Sequence, residues 1–293
     1  MKLTTERLAT IAGGTMTAAR KANMASVVAG LEAKGYALGL DQPQRLCHYA
    51  AQLGHESGRF AYDREIWGNT AAQQRYDVRT DLGNTPERDG DGKLYAGRTA
   101  IQITGKANVT SYRDWCRAQG LAAPDFVAQP DLMNTDPWEG IGPLWYWSTK
   151  NLNRYADMDD GIEMITVKIN GGTNGLDDRI ALYARTALLF LGRKLEKGAV
   201  EKLQAERSLI PDDIVGPATR KAFHAELLKI DPKIEPVVPD PVLVTPAQVV
   251  VTETQMVPTA VAPAPAVPIT IPGYLTIIEL ATAQIRSLLP QET

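Results

Sequence analysis

Prolines recur every few residues from Pro232 to Pro272, among Val, Ala and Thr, with no glycine until Gly273. A proline inside a helix removes a backbone hydrogen bond and clashes with the preceding turn, so this stretch cannot close into a packed helix. Extended backbone is expected, which makes residues 231–272 a Pro/Val/Ala-rich, semi-rigid spacer. Its run "AQVVVTETQMV" alternates enough to pair as a strand if a partner is supplied. The folded body must therefore be built from the residues before it. Beyond the spacer, residues 273–293 regain helical spacing in "YLTIIELATAQIRSLL". Leu275, Ile278, Ala281, Ile285, Leu288 and Leu289 form an apolar stripe opposite Glu279, Gln284 and Arg286. This C-terminal tail is too short and polar to span a bilayer, and suits docking on its own domain, self-association, or contact with a partner or membrane.

Residues 1–195 read as helices separated by Gly- and Asp-rich loops, a length that supports one substantial core. In "LDQPQRLCHYAAQLGHESG", Asp41 is the candidate N-cap, with Pro43 in the first turn and Gln44 three residues on. Leu46, Ala50 and Leu53 recur at helical spacing, and Gly58 is placed to stop the helix. "SYRDWCRAQG", "DPWEGIGPLWYWSTKN", "GIEMITVKING" and "DDRIALYARTALLFLG" are further helical segments. Residues 77–98 form a long irregular stretch of the kind that is functional in compact domains. Strand signals are weak, so the fold class is mainly α. Residues 196–230 look like a small separate helical unit.

A formal net charge of −3 gives no electrostatic reason to bind nucleic acid or an anionic surface. Cys47 and Cys116 sit in helical text and read as buried, reduced thiols. The N-terminus lacks the apolar run of a secretory signal, and no segment offers about 18 uninterrupted apolar residues for a membrane span.

The chemistry concentrates in "GHESGRFAYDREIWG", which holds Glu56 and Glu65 nine residues apart. A zincin motif needs a second histidine where Arg59 stands, so a metal is not expected. A serine-nucleophile elbow would need serine where Glu56 stands. "DGDG", residues 89–92, lacks the remaining ligands of a calcium loop and reads as a polar turn. A pair of carboxylates remains. Glu56 falls in the last turn of its helix, where the dipole and partial burial favour the protonated form. Glu65 lies on a polar and aromatic loop that suits an ionised base.

The neighbouring text extends this pair. "HESGRF", "REIWG", "DLGNT", "YAGRTAIQITGKAN" and "INGGTNGLDDRIALYAR" occur in an order that resembles family 19 glycoside hydrolases, over about residues 40–190. The likeness is greatest to bacteriophage endolysins and bacterial chitinase-like enzymes. It implies a lysozyme-like, two-lobed fold with a cleft, and an inverting reaction without any cofactor. On this resemblance Glu56 is the general acid, Glu65 activates water, and Thr104 positions that water. The carboxylates should then stand roughly 6.5–9.5 Å apart. Gln102, Asn108 and Asn170 match cleft residues that bind sugar, and Arg179 matches an arginine that orients the acidic cluster. His55, counted with the substrate-binding residues, reads as a packing and hydrogen-bonding support for Glu56 rather than a proton shuttle. Trp67 is placed either to stack on sugar or to anchor its loop, and Thr104 either to serve the site or to cap the next helix. Trp138, Trp145, Tyr146 and Trp147 read as core. The family's usual "GRG" is Gly97-Arg98-Thr99 here, so a left-handed position at Thr99 would be strained.

"EKLQAERSLIPDDIVGPATRKAF" resembles a shortened peptidoglycan-binding repeat, with Asp213 in place of the usual glycine. Together the resemblances imply a phage endolysin that cuts β-1,4 bonds of peptidoglycan. It would wait in the host bacterial cytoplasm until a holin opens the route to the periplasm and wall. A chitinase, or a virion-associated wall-binding protein without catalysis, are the alternatives.

Overall fold

Twelve α-helices form within residues 1–233, the part of the chain that the computed structural model describes. In order they are α1 (Thr5–Ala12), α2 (Ala18–Gly30), α3 (Pro43–Glu56), α4 (Ala71–Gln74), α5 (Asp91–Leu94), α6 (Lys106–Ala118), α7 (Trp138–Thr149), α8 (Asn153–Ala156), α9 (Ile162–Asn170), α10 (Leu176–Phe190), α11 (Ala199–Glu206) and α12 (Pro217–Leu227). No β-strand forms among the described residues. Two isolated bridges, Arg64 with Arg98 and Arg98 with Ile103, are the only sheet-like pairings there. The mainly α fold class is therefore correct. From residue 234 the spacer and the tail helix lie outside the described residues. No described helix is long and apolar enough to cross a membrane.

α3 is the central helix. Most of its residues from Pro43 to Gly54 are buried, and its main partner is α10. Its start corrects one expectation: Gln42, not Asp41, is the N-cap, and it makes no side-chain capping bond. Proline prefers the first helical position, where its fixed φ fits and its missing N–H costs nothing. Pro43 therefore sets the cap one residue later than the Asx-type reading does. The other end matches the sequence, with Glu56 as the last helical residue and Gly58 left-handed at φ 58°.

α2 crosses α7 at glycines. A Cβ on Gly140 would lie 1.8 Å from the Ser26 carbonyl oxygen, and one on Gly30 would lie 2.2 Å from Gly140. Only glycine lets two backbones approach so closely. Trp145 and Trp147 are buried, with Trp138 and Tyr146 packed at the edge of the core, as their clustering suggested. Cys47 and Cys116 are buried free thiols.

Residues 77–98, expected to be irregular throughout, carry the short helix α5 and are tied within the stretch and to its neighbours. Asn84 donates to the Tyr76 carbonyl at 2.7 Å and accepts from the Lys106 amide at 3.1 Å. In the "DGDG" turn, Asp89 accepts from the Thr85 hydroxyl at 2.7 Å, and Asp91 from the Thr85 amide. α11 and α12 pack on α10, where Phe223 meets the edge of Tyr183, and Arg220 of α12 forks onto Asp160, just before α9, at 2.6 and 2.8 Å.

Candidate active site

A polar ladder climbs α3 to the first glutamate. Gln44, His48, Gln52 and Glu56 follow one another at i+4, so they share one face of the helix. Gln44 reaches Asp157 at 3.2 Å, and His48 stacks on Tyr183 with ring centres 4.6 Å apart. Burial pushes the His48 imidazole down to about 3, and the neighbouring His224 adds to this, which keeps His48 neutral. Gln52 accepts from Arg179 and donates to the Thr166 hydroxyl at 3.3 Å. At the top, Arg179 of α10 pairs with Glu56 at 2.5 Å. Arg179 has no solvent exposure, whereas the Glu56 side chain keeps 14%. A guanidinium therefore faces the partly buried Glu56 carboxylate at the end of its helix.

His55 pairs with a residue of α10. Its Nδ1 lies 2.8 Å from Asp178, which also pairs with Arg59. The His55 hydrogen bond, then the Arg59 charge, hold the Asp178 carboxyl below the usual carboxylate range. Gly175 fits against the same imidazole, because a Cβ there would lie 2.2 Å from its Cε1. Tyr146 stands on the acid side, its hydroxyl pushed up to about 12 by burial and by the Glu56 charge. It also reaches the Ile169 carbonyl at 3.4 Å, beside Asn170, whose buried Oδ1 makes no hydrogen bond.

Three consecutive left-handed residues, Gly58, Arg59 and Phe60, lead from the acid toward Glu65. L-residues other than glycine pay roughly 1–2 kcal/mol each in that conformation. Dense bonding over-determines it. Ser57 Oγ donates to the Leu53 carbonyl and accepts the Phe60 amide at 2.9 Å. From α2, Arg20 donates to the Arg59 carbonyl at 2.9 Å and Asn23 to the Phe60 carbonyl at 3.0 Å.

Glu65 sits on the first of the bridged segments, with both carboxylate oxygens engaged. Oε1 accepts from Gln73 at 2.9 Å and Oε2 from the Gly97 amide at 3.2 Å. The Glu65 amide donates back to the Gly97 carbonyl at 2.8 Å. A Cβ on Gly97 would lie 2.5 Å from Gln102 Oε1 and 3.2 Å from Thr104 Oγ1. Glu65, Gln102 and Thr104 therefore converge on one glycine. Thr104 donates to the Gln102 carbonyl at 2.9 Å, and α6 starts from Gly105 without a side-chain cap, so Thr104 does not cap that helix. Asn108, exposed on α6, donates to the Thr104 carbonyl at 2.8 Å. Trp67 follows Glu65 on the same loop and is half-buried.

Thr99 takes the left-handed conformation that its place in the glycine pattern predicted, with φ 66°. It is fully buried, and its hydroxyl has no hydrogen-bond partner. Gly142 of α7 makes room for it, since a Cβ there would lie 2.8 Å from Thr99 Cγ2. Gln102 is also left-handed, at φ 55°.

The predicted residues thus lie at separate places on the fold. His55 and Glu56 end α3 with Arg179 paired to Glu56, Asn170 ends α9, and Glu65, Trp67, Gln102, Thr104 and Asn108 lie on the bridged loops and the start of α6. Sequence reading missed Asp178, Arg59, Gln52 and Gln73. Only Gln52 left a readable trace, as one rung of the i+4 ladder.

No family model matches the chain. A glycosyl hydrolase family 19 domain-containing protein from Haemophilus influenzae is 31% identical over 160 residues, covering 46% of this chain and 74% of that one. Among solved structures, chitinase C from Streptomyces griseus is 18% identical, with a TM-score of 0.48 over 67% of this chain and 79% of that one. A bacterial family 19 chitinase is 19% identical, with a TM-score of 0.36 over 78% and 96%.

Proposed function

The chain belongs to glycosyl hydrolase family 19, and from that premise we propose that it hydrolyses β-1,4 glycosidic bonds of bacterial peptidoglycan by inversion. The convergence of Glu65, Gln102 and Thr104 on Gly97, with Glu56 held separately by Arg179, is the observation that carries this reading. Glu56 donates its proton to the glycosidic oxygen as the bond from that oxygen to the sugar C1 breaks. Arg179 stabilises the carboxylate that proton transfer leaves behind. Glu65 takes a proton from the water that attacks C1 on the opposite face. The Thr104 hydroxyl donates to the Gln102 carbonyl, so its oxygen is free to accept the other water hydrogen. Solvent then returns a proton to Glu56 and removes one from Glu65.

Peptidoglycan is favoured over chitin by the wall-binding likeness of residues 196–230. There the buried Gln204 has its two N–H donors shared among Asp212, the Ile214 carbonyl and Thr219, and accepts the Asp212 and Asp213 amides. The loop it organises holds Asp213 left-handed at φ 60°, where the repeat has glycine. The biological role in this reading is that of a phage lytic enzyme released from the host cytoplasm by a holin.

Turbidity loss of outer-membrane-permeabilised cells tests the reading, run beside release from N-acetylglucosamine oligomers. Lysis by the parent and none by Glu56→Gln supports it. Cleavage of the oligomers alone moves the substrate to chitin, and unchanged lysis by Glu56→Gln removes the catalytic assignment. Mass spectrometry of borohydride-reduced products identifies which of the two alternating bonds is cut.

A further inference from the structure

Gln73 uses every hydrogen-bonding position of its carboxamide on the loop that carries Glu65. Its Nε2 donates to Glu65 Oε1 at 2.9 Å and to the Ile66 carbonyl at 3.0 Å. Its Oε1 accepts the Gly68 amide at 2.9 Å and the Thr70 amide at 3.2 Å, with the Thr70 hydroxyl a longer third donor at 3.4 Å. A primary amide offers two N–H donors and two oxygen lone pairs, so nothing is left over. The partners also fix which end is which: two acceptors face the nitrogen, and two backbone donors face the oxygen. Gln73 is buried, with 6% exposure, although α4 itself lies at the surface.

Two jobs meet in this side chain. One is local: with Thr70, Gln73 completes the capping box that starts α4. A capping box needs only the bond to the Thr70 amide. The bonds to Glu65, Ile66 and Gly68 lie outside it. They clasp the chain on both sides of Trp67 and hold one oxygen of the carboxylate, while Gly97 holds the other. A carboxylate restrained at both oxygens has a fixed direction for its free lone pairs, which a water-activating base requires.

We infer that Gln73 is a positioning residue for catalysis, aiming the Glu65 carboxylate at the attacking water and fixing Trp67 beside it. This rests on the assignment of Glu65 as the base. A glutamate at 73 keeps the size but replaces the donor with a second carboxylate against Glu65. A methionine keeps the approximate size and removes every bond of the carboxamide.

The experiment measures kcat and KM against pH for the parent, Gln73→Glu, Gln73→Met, Thr70→Ala and Glu65→Gln. The substrate is whichever of soluble N-acetylglucosamine oligomers and solubilised peptidoglycan the parent cleaves. In Gln73→Glu the acid limb of the profile should move up by about one pH unit or more, because adjacent carboxylates resist ionising together. In Gln73→Met, kcat should fall about tenfold or more with KM changed much less, the pattern of an interaction used in the transition state. Thr70→Ala, which breaks the capping box but leaves the Glu65 contact, should keep kcat within about threefold of the parent and leave the acid limb unmoved. Circular dichroism and the retained KM report that each variant is folded. Parental kcat and acid limb in both Gln73 variants overturn the inference, as does a loss in Thr70→Ala equal to that in Gln73→Met. An inactive Glu65→Gln beside unchanged Gln73 variants removes the positioning role alone. An active Glu65→Gln removes the base assignment beneath it.

Discussion

Arg179, fully buried in α10, bonds through one terminal guanidinium nitrogen to Glu56 and through the other terminal nitrogen to Gln52, one turn earlier on α3. The fork ties Glu56, the proton donor of the proposed mechanism, to the interface between α3 and α10. Removing one partner of a buried ion pair typically costs about 3–5 kcal/mol, because the other charge is stranded. Arg179→Leu should therefore lose stability of that order, read as a lower urea midpoint, together with most of the turnover. Arg179→Lys should recover little of either, since an ammonium cannot reproduce the planar fork.

Thr99 and Gly142 should be coupled. Gly142→Ala places a methyl 2.8 Å from Thr99 Cγ2 and 2.9 Å from its Oγ1, and overpacking of this kind costs about 1–3 kcal/mol. Thr99→Gly removes both clashing atoms and the left-handed strain, while sacrificing a buried methyl. In the Thr99→Gly background, the cost of Gly142→Ala should shrink by about 1 kcal/mol or more. Urea unfolding of the four proteins in this cycle measures the coupling.

Glu139 of α7 supplies a pH test unrelated to catalysis. Burial, with the charges of Asp63 and Asp136, pushes its carboxyl from 4.5 up to about 8. The folded state then holds a proton that the unfolded chain releases, so this group lowers stability as pH rises from 4.5 to about 8. Glu139→Gln should match the parent near the lower end of that window and exceed it in melting temperature at the upper end. A constant difference across the window would contradict the assignment.

Asn23 reaches from α2 to the Phe60 carbonyl in the left-handed turn. Asn23→Ala should cost about 1 kcal/mol of stability, the usual worth of such a bond. Its effect on catalysis should appear in kcat rather than KM, although α2 contributes no residue to either catalytic group.

Much of this arrangement is legible in the sequence, and the rest is hidden for definite reasons. Helical spacing and Pro43 announce α3, and a glycine after "HES" places Glu56 at its end. The departure from "GRG" points to the strain at Thr99 because glycine is the residue that tolerates positive φ. No comparable signal marks Arg59 and Phe60, where an arginine and a phenylalanine adopt that conformation through tertiary bonds alone. Gln73 is equally silent, since a contact from a short helix back to a loop has no period. The Arg179–Glu56 pair joins residues 123 positions apart, and its geometry depends on how α3 and α10 pack. Asp41 misled because proline outranks an Asx residue in setting where a helix begins.

The turn between Glu56 and Glu65 also bears on how such a chain can change over generations. Ser57, Arg59, Phe60, Ala61 and Tyr62 all have backbone groups committed to specific partners, two of them, Arg20 and Asn23, on α2. Inserting or deleting a residue there would break many of these bonds at once and shift the register of everything that follows. Length variation is more easily absorbed at the exposed Glu87–Asp89 tip of the irregular stretch. The nine-residue interval acts as a ruler, and natural variants that remain active should preserve its length more strictly than its composition.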